Sequence, residues 1–423
     1  MYNLKTSGDN YSYNIRHLDR GVWILGATRF IRAFGRGSTF IFVPLIFIIT
    51  YGISFIDTGL FLGSATLLMA VIQYFAGILT DKIGRRTILV YSQIPAIFFY
   101  LLIYYSIAVP HYFLILLASW YGTIIINSIQ YPAVQAAVAD VTSVHDRLSG
   151  YTVMRIMANL GIAVGPLLGA FLATYGLQYI FLVSSAVTVV EIFMLYYLMK
   201  ETYNPKDHVI LKRGELTKSY SRDRFFIIFI IIGIILGFFM RQRGSTFTVY
   251  TIYIQHLPYL YLGYVWALNG FLVVVLQFPL LRVMTKYGNP MLWRGVGSLF
   301  YAIGFLFLIY TPTLAILFAF MTISTFGEDL VSPTTQSIIT TIAPDNMRGS
   351  YIGVYNLYTS IGGFAGAVFG LYLLFVLENV SSTYWVYIAI GSVVVGGMYV
   401  SISRLFSKRF TRVVKEEVVA SNT

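Results

Sequence analysis

The chain has 423 residues, 57% of them hydrophobic and 11% charged, with 29 Lys and Arg against 17 Asp and Glu and no cysteine. A soluble domain carries about a quarter charged residues, so this composition excludes one and requires lipid around most of the chain. The lack of cysteine excludes disulfides and thiolate metal sites, and the net charge of +12 must be located before it can be read as a nucleic-acid footprint.

Twelve apolar runs of roughly 19 to 30 residues follow one another, each long enough to cross a hydrocarbon core about 30 Å thick at about 1.5 Å per residue. They fall at Leu18–Ile49, Thr58–Thr80, Thr87–Ala108, Tyr112–Ala139, Leu148–Tyr175, Tyr179–Met199, Phe225–Tyr250, Gly263–Val283, Met291–Ile309, Thr313–Thr340, Gly349–Leu377 and Tyr384–Leu405. Helices are expected rather than barrel strands, which need only about ten alternating residues. The first run is too long and too rich in arginine for a cleaved signal peptide.

Of the 29 Lys and Arg, all but Arg29, Arg32, Arg36, Arg155, Arg241 and Arg243 are assigned to the tails and to alternate connections. They are Lys5, Arg16 and Arg20 before span 1, Lys82, Arg85 and Arg86 before span 3, and Arg147 before span 5. A run from Lys200 to Arg224 precedes span 7; Arg282, Lys286 and Arg294 are placed before span 9, Arg348 before span 11, and Arg404 to Lys415 follow span 12. The six intervening connections contain no Lys or Arg. By the positive-inside rule this places both termini in the cytoplasm of a cell-membrane, multi-pass protein, and accounts for the charge without nucleic acid.

The stretch RGSTF occurs twice, at Arg36–Phe40 and Arg243–Phe247. VIQYFAG at 71–77 aligns with VLQFPLL at 275–281. Pro132, Gln135, Arg147, Ser149, Gly161, Gly165 and Gly169 align with Pro333, Gln336, Arg348, Ser350, Gly362, Gly366 and Gly370. Slowly drifting offsets of this kind mark a duplicated six-helix unit. The expected organisation is a bundle over 1–199, a linker over 200–224, a second bundle over 225–406 and a tail over 407–423. Parallel repeats of this kind enclose a substrate site near the membrane midplane.

GILTDKIGRR at 77–86 resembles the loop signature G-x-L-x-D-x-x-G-R-[KR] of the major facilitator superfamily at every fixed position. GIAVGPLLGA at 161–170 resembles the G-x-x-x-G-P-x-x-G-G signature of that family's drug:proton antiporters, with Ala170 at the last glycine. The resemblance implies an all-α membrane protein with twelve transmembrane helices in two pseudosymmetric six-helix bundles. It implies a gate built on Gly77, Asp81, Gly84, Arg85 and Arg86, with Asp81 at the start of span 11 and Arg85 against Asp140. It also implies an antiporter-like seam of Gly161, Gly165, Pro166 and Gly169, and a cavity lined by spans 1, 4, 7 and 10. Two departures count against cationic substrates: LLASWYG at 116–122 lacks the antiporters' arginine, and span 1 has no carboxylate.

Arg36 lies about 27 Å along a helix starting at Leu18, too deep to reach the near headgroups. An unpaired arginine at that depth costs about 2.5–3.5 kcal/mol on insertion scales, so it should face a cavity or a counter-charge. Arg29, Arg32 and Arg36 share one helical face by their spacing. Arg36, Arg243, Arg32, Asn127 and Gln130 are the candidate substrate-binding residues, and the buried acids Glu328, Asp329 and Glu191 are the candidate proton carriers, Glu328 favoured. Structural ion pairs are the alternative role for the same charges. The aromatic content of 17% suits a cavity for bulky amphipathic solutes.

The five histidines, His17, His111, His145, His208 and His256, all fall outside the spans, and no hydrolase, zinc-protease or phosphate-loop motif is present, which argues against an enzyme. A proton-coupled exporter of amphipathic or anionic organic solutes is the expected function. The alternatives are an importer or exchanger of small organic anions, organophosphates or carboxylates, and a non-transporting receptor on the same scaffold. Solute, protons and the bilayer are the expected partners, a monomer is expected to suffice, and no metal or cofactor is called for. The orientation is checked by labelling with an impermeant thiol reagent: His111→Cys and His256→Cys should react from outside intact cells, Lys212→Cys only after permeabilisation.

Overall fold

The computed structural model describes residues 18–143, 146–202, 223–287, 289–343 and 347–421. Twelve helices are long and apolar enough to cross a membrane: Arg20–Thr50, Phe55–Gly77, Arg85–Ala108, Phe113–Asp140, Ser149–Ala173, Gln178–Leu198, Arg224–Ile254, Tyr259–Met284, Pro290–Phe307, Leu314–Ile339, Ser350–Val376 and Glu378–Ser403, hereafter spans 1 to 12. No β-strand occurs among the described residues. Short polar side chains start several helices by accepting backbone N–H groups that have no intrahelical partner: Asp19 from Gly21, Ser54 from Asp57, Asp223 from Phe226. Of the expected linker, 203–222 lies outside the described residues. The helix of span 12 runs on to Ser421 through the expected tail.

Each half is a bundle. Span 1 packs on spans 5 and 6, span 3 on 4 and 6, and span 2 on 4; in the second half span 9 packs on 10 and 12, span 7 on 11, and span 8 on 10. The halves meet along two helix pairs, span 2 with span 11 and span 5 with span 8. The aligned glycines explain the closest contacts within each half. Gly161, Gly165 and Gly169 of span 5 lie against the carbonyls of Phe30, Phe34 and Ser38 in span 1. Gly362 and Gly366 of span 11 lie against the carbonyls of Ile234 and Phe238 in span 7, and Gly370 against Gln242. Small residues every four positions let two backbones approach in a medium that offers no hydrophobic drive between helices.

Arg294 corrects the charge map. Rather than sitting in a connection, it is 1% exposed inside the second bundle. Its guanidinium donates to Thr335, to the Val331 carbonyl (3.2 Å), and to the hydroxyls of Tyr355 (2.9 Å) and Tyr399 (3.2 Å). An apolar start to span 9 at Pro290 carries the residue one turn into the helix, where those groups reach it.

The two ends of the bundle differ. Away from the termini, Gly59 lies against Ala367 and Val368, Gly63 against Phe364, Gly263 against Pro166 and Ala170, and Gly270 against Ala163. Aromatic pairs cross the halves at the same end: Phe42 with Tyr259 (6.2 Å), and Phe55 with Tyr253 and Phe375 (5.5 Å each). The antiparallel register that sets Gly63 beside Phe364 would set Gly77 beside Ser350. Yet a Cβ built on Gly77 or on Gly353 meets no described atom within 4 Å. Among the described residues, the closest approaches of spans 2 and 11 therefore lie at the far end. Gly165→Ala should lower the unfolding midpoint in detergent by several degrees, since overpacking costs about 1–3 kcal/mol. Gly353→Ala should leave the midpoint unchanged or raise it, because Ala is the better helix former by about 1 kcal/mol. Equal losses would show both ends to be closed.

Candidate functional site

Charged side chains meet in the middle of the bundle. Arg32 of span 1 places Nε 2.7 Å from Glu191 Oε1 of span 6, and Nη2 donates to the same oxygen; both residues are buried. Arg243 of span 7 donates from Nη2 to Glu328 Oε2 of span 10 at 2.5 Å, with the Trp266 and Tyr301 rings each 5.8 Å from its guanidinium carbon. Asn269 of span 8 donates to the same Glu328 oxygen at 3.0 Å and to Thr325 Oγ1 at 2.9 Å. The third acid, Asp329, has a fully buried side chain and accepts no hydrogen bond among the described residues. Its one ion pair is Arg155 of span 5, 3.7 Å away and in the other half of the molecule.

The two RGSTF copies are wound differently. Arg36–Phe40 is α-helical, with Ser38 Oγ donating to the Gly35 carbonyl at 2.7 Å and Thr39 Oγ1 to the Arg36 carbonyl at 3.0 Å. Its counterpart lies in a π-helical turn over Gln242–Thr246. A π-turn packs more residues into each turn, so side chains after it rotate relative to an α-helix. Gln242 consequently faces the Gly366 carbonyl (3.0 Å) and the Tyr384 hydroxyl (2.6 Å), and Arg243 faces span 10. Arg241, just before the turn, reaches span 2 of the other half, where Nη2 lies 3.5 Å from the Leu62 carbonyl.

Arg36 stays solvent-accessible and lines a polar cavity with Tyr100, Asn127, Gln93, Thr188 and the paired Arg32 and Glu191. It makes no ion pair and no side-chain hydrogen bond among the described residues. Asn127 lines the same cavity, its amide donating to the Thr123 carbonyl of its own helix at 2.8 Å. Gln130, expected beside it, is turned away: fully buried, it donates to the Leu89 carbonyl (3.1 Å) and Ser92 Oγ (3.2 Å) of span 3. Three residues on from Asn127, it lies on a different part of the helix face. Arg32 and Arg243, expected free for substrate, are held by Glu191 and Glu328 instead. Residues the sequence reading passed over are Arg155, Arg241, Asn269 and Tyr100; the excess of intramembrane arginines over acids was the available signal for the first two.

At the terminus end, Arg85 Nε donates to Asp140 Oδ2 at 2.9 Å, as the resemblance implied. The side chain of Asp81 lies outside the described residues. Gly84 has φ +100°, a conformation that side chains resist, and breaks the helix between spans 2 and 3. The carboxylate of Glu201, which follows span 6, fills the gap: it accepts from the backbone N–H groups of Arg85 (2.9 Å), Arg86 (3.1 Å) and Thr87 (3.4 Å). An anion on exposed N–H groups at a helix start is electrostatically favoured. Arg86 donates to the Tyr196 carbonyl at 2.6 Å and lies over the Tyr196 ring.

A family model described as Major Facilitator Superfamily matches residues 25–367. The chain is 26% identical over 338 residues to a Na(+), Li(+), K(+)/H(+) antiporter of Planococcus maritimus, covering 72% of this chain and 78% of that one. It is 22% identical over 366 residues to the quinolone resistance protein NorA of Staphylococcus aureus (strain MRSA252), covering 84% and 92%. Its fold is similar to that of a POT family transporter solved with a thioalcohol-conjugated peptide, with TM-score 0.77, 13% identity, and 92% and 96% of the two chains covered.

Breaking a buried ion pair from one side strands the other charge. Glu191→Gln should cost about 3–5 kcal/mol of stability, and the double replacement Arg32→Gln with Glu191→Gln less than that single change, because no charge is left unmatched. Unfolding in detergent measures both, and a double variant worse than either single one would contradict the pairing.

Proposed function

The chain belongs to the major facilitator superfamily, and from that premise we propose that it is a proton-coupled secondary transporter that exports amphipathic or anionic organic solutes by alternating access. The distribution of Lys and Arg supports a cell-membrane protein with both termini in the cytoplasm. In that orientation the closest contacts between the halves lie toward the outside, which supports a state that loads from the cytoplasm.

One observation carries the proton reading: the pair Arg155 and Asp329 joins the two halves. Alternating access moves the halves against each other, so this contact is made in one state and lost in another. Once Arg155 withdraws, Asp329 has neither a hydrogen bond nor an ion-pair partner among the described residues, and a buried carboxylate in that position is kept by taking up a proton or by rehydration. Glu328, first choice from sequence, is held by Arg243 and Asn269 within its own half and is the second candidate. Glu191 remains tied to Arg32. Linkage requires that whatever shifts the proton also shifts the affinity for solute by the same factor.

A second reading, an exchanger of small organic anions, draws support from the arginines left without acidic partners. A monovalent metal cation, the cargo for which the Planococcus maritimus antiporter is named, fits such a cavity poorly.

The test is uphill transport in proteoliposomes under an imposed pH gradient, offered a quinolone, an organophosphate or a monovalent metal cation in turn. The parent should accumulate an organic solute against its gradient. Asp329→Asn should still exchange it across the membrane, with gradient-driven accumulation reduced at least about tenfold. Undiminished accumulation in both Asp329→Asn and Glu328→Gln would remove these acids from the coupling path.

A further inference from the structure

Arg294 is a buried cation held without an acid. Its Nε has no partner, and it makes no ion pair among the described residues. Its guanidinium instead gathers five helices of the second half. It lies over the rings of Phe229 of span 7 (5.1 Å) and Tyr399 of span 12 (4.9 Å). From span 9 it donates to Thr335 and the Val331 carbonyl of span 10, and to the hydroxyls of Tyr355 of span 11 and Tyr399.

The first half fills the same region without charge. Spans 1, 3, 4, 5 and 6, the counterparts of spans 7, 9, 10, 11 and 12, meet in a buried aliphatic cluster that includes Val22, Val90, Val134, Met154 and Leu195. The alignment of Pro132 with Pro333 and of Ser149 with Ser350 sets Val134 against Thr335 and Met154 against Tyr355. A cation taken out of water is compensated only in part by hydroxyls and rings, whereas an apolar cluster needs no such compensation. A cation kept at such a place calls for a task other than packing.

The part of span 10 that Arg294 holds names the task. Pro333 lies inside that helix and has no N–H, so the Asp329 carbonyl four residues back lacks its helical donor. In the same turn Thr334 and Thr335 donate their hydroxyls to the Val331 carbonyl, at 2.8 and 3.1 Å, a back-bonding that bends helices. Arg294 Nη1 grips this softened turn at Val331 and Thr335, and Nη2 carries the other end of the fork to Tyr355 and Tyr399. The turn follows directly on Glu328 and Asp329. Around Asp329 stand Glu328 on its own helix, Arg155 of span 5, Arg243 of span 7 and Tyr301 of span 9. We infer that Arg294 is a positioning residue for transport: it passes the displacement of the acid-bearing turn of span 10 to spans 11 and 12, so that gain or loss of the Asp329 charge moves the ends of those helices near the termini. A planar fork suits this, because its two Nη groups are fixed relative to each other. The inference rests on the proton-coupled reading and names the residue that carries its signal onward.

The chain has no cysteine, so Gly353→Cys, two residues before Tyr355 on span 11, supplies a single thiol. Its labelling rate in the purified full chain, at one fixed pH, reports the position of that helix. Asp329→Asn stands in for the protonated acid. With Arg294 present, Asp329→Asn should change the labelling rate about fivefold or more, the lower end of ordinary coupling between sites. In Arg294→Met the rates with and without Asp329→Asn should coincide, and Arg294→Lys, which keeps the charge without the fork, should restore only part of the difference. If Arg294→Met does not fold, the triple variant Arg294→Met, Tyr355→Phe and Tyr399→Phe removes the cation together with the hydroxyls it would strand, and should show the same loss of response. An undiminished response to Asp329→Asn in these variants overturns the relay and leaves Arg294 a packing residue. No response with Arg294 in place overturns it as well, and uphill accumulation in proteoliposomes then tells whether proton coupling has failed with it.

Discussion

Moving a guanidinium or a carboxylate out of water costs several kcal/mol per ion even after the surroundings relax, and attraction to a partner offsets this only when the geometry is close. That constraint arranges the interior of this molecule. Two pairs, Arg32 with Glu191 and Arg243 with Glu328, each join helices of one half and so hold that half together as a unit. The third, Arg155 with Asp329, spans the halves, and it is the loosest: 3.7 Å, with no hydrogen bond on the acid. Contacts that survive a movement of the halves are tight, and the contact that must be exchanged is not. Arg294 obeys the same constraint by another route, with hydroxyls, a carbonyl and the rings of Phe229 and Tyr399 in place of an acid.

Duplication supplied two similar halves, and a single π-turn makes them chemically different. The glycine triads repeat faithfully, each set against the first helix of its own half. The RGSTF copies repeat in letters only. In span 1 the arginine is presented to the cavity; in span 7 the turn over Gln242–Thr246 rotates it onto Glu328 and leaves Arg241 to face the other half. Gln242 fixes that winding by spending its amide on Phe238 and Gly366 and its carbonyl oxygen on Thr246 and Tyr384. A site with cations from both sides and carboxylates mostly from one results, an asymmetry that a strictly symmetric dimer of bundles would lack.

The fold was legible because length and hydropathy alone decide it in lipid: a backbone with no water to satisfy it has to be helical, and basic residues mark the ends. The glycine seams were legible for the same reason, since spacing by four has one geometric meaning on a helix. Side-chain partners were not. Arg32 and Arg36 share a face by periodicity, yet Glu191 on span 6 captures the first and leaves the second, and that choice depends on how far span 6 leans in. Asn127 and Gln130 looked equivalent on span 4, but the longer amide reaches the carbonyl of Leu89 on span 3. Nothing in the letters QRGST announces a π-turn. Arg294 misled because a sequence boundary and a helix boundary differ by a turn, and in a membrane one turn separates headgroup from interior.

The terminus end of the bundle and the central cavity belong to one argument. Every contact described for the signature loop, Arg85 with Asp140, Glu201 with the start of span 3, Arg86 with Tyr196, stays within the first half. The loop thus braces one bundle. Arg36 keeps an accessible guanidinium in a cavity that it shares with the Arg32–Glu191 pair, so any movement of the halves has to leave that charge either solvated or paired.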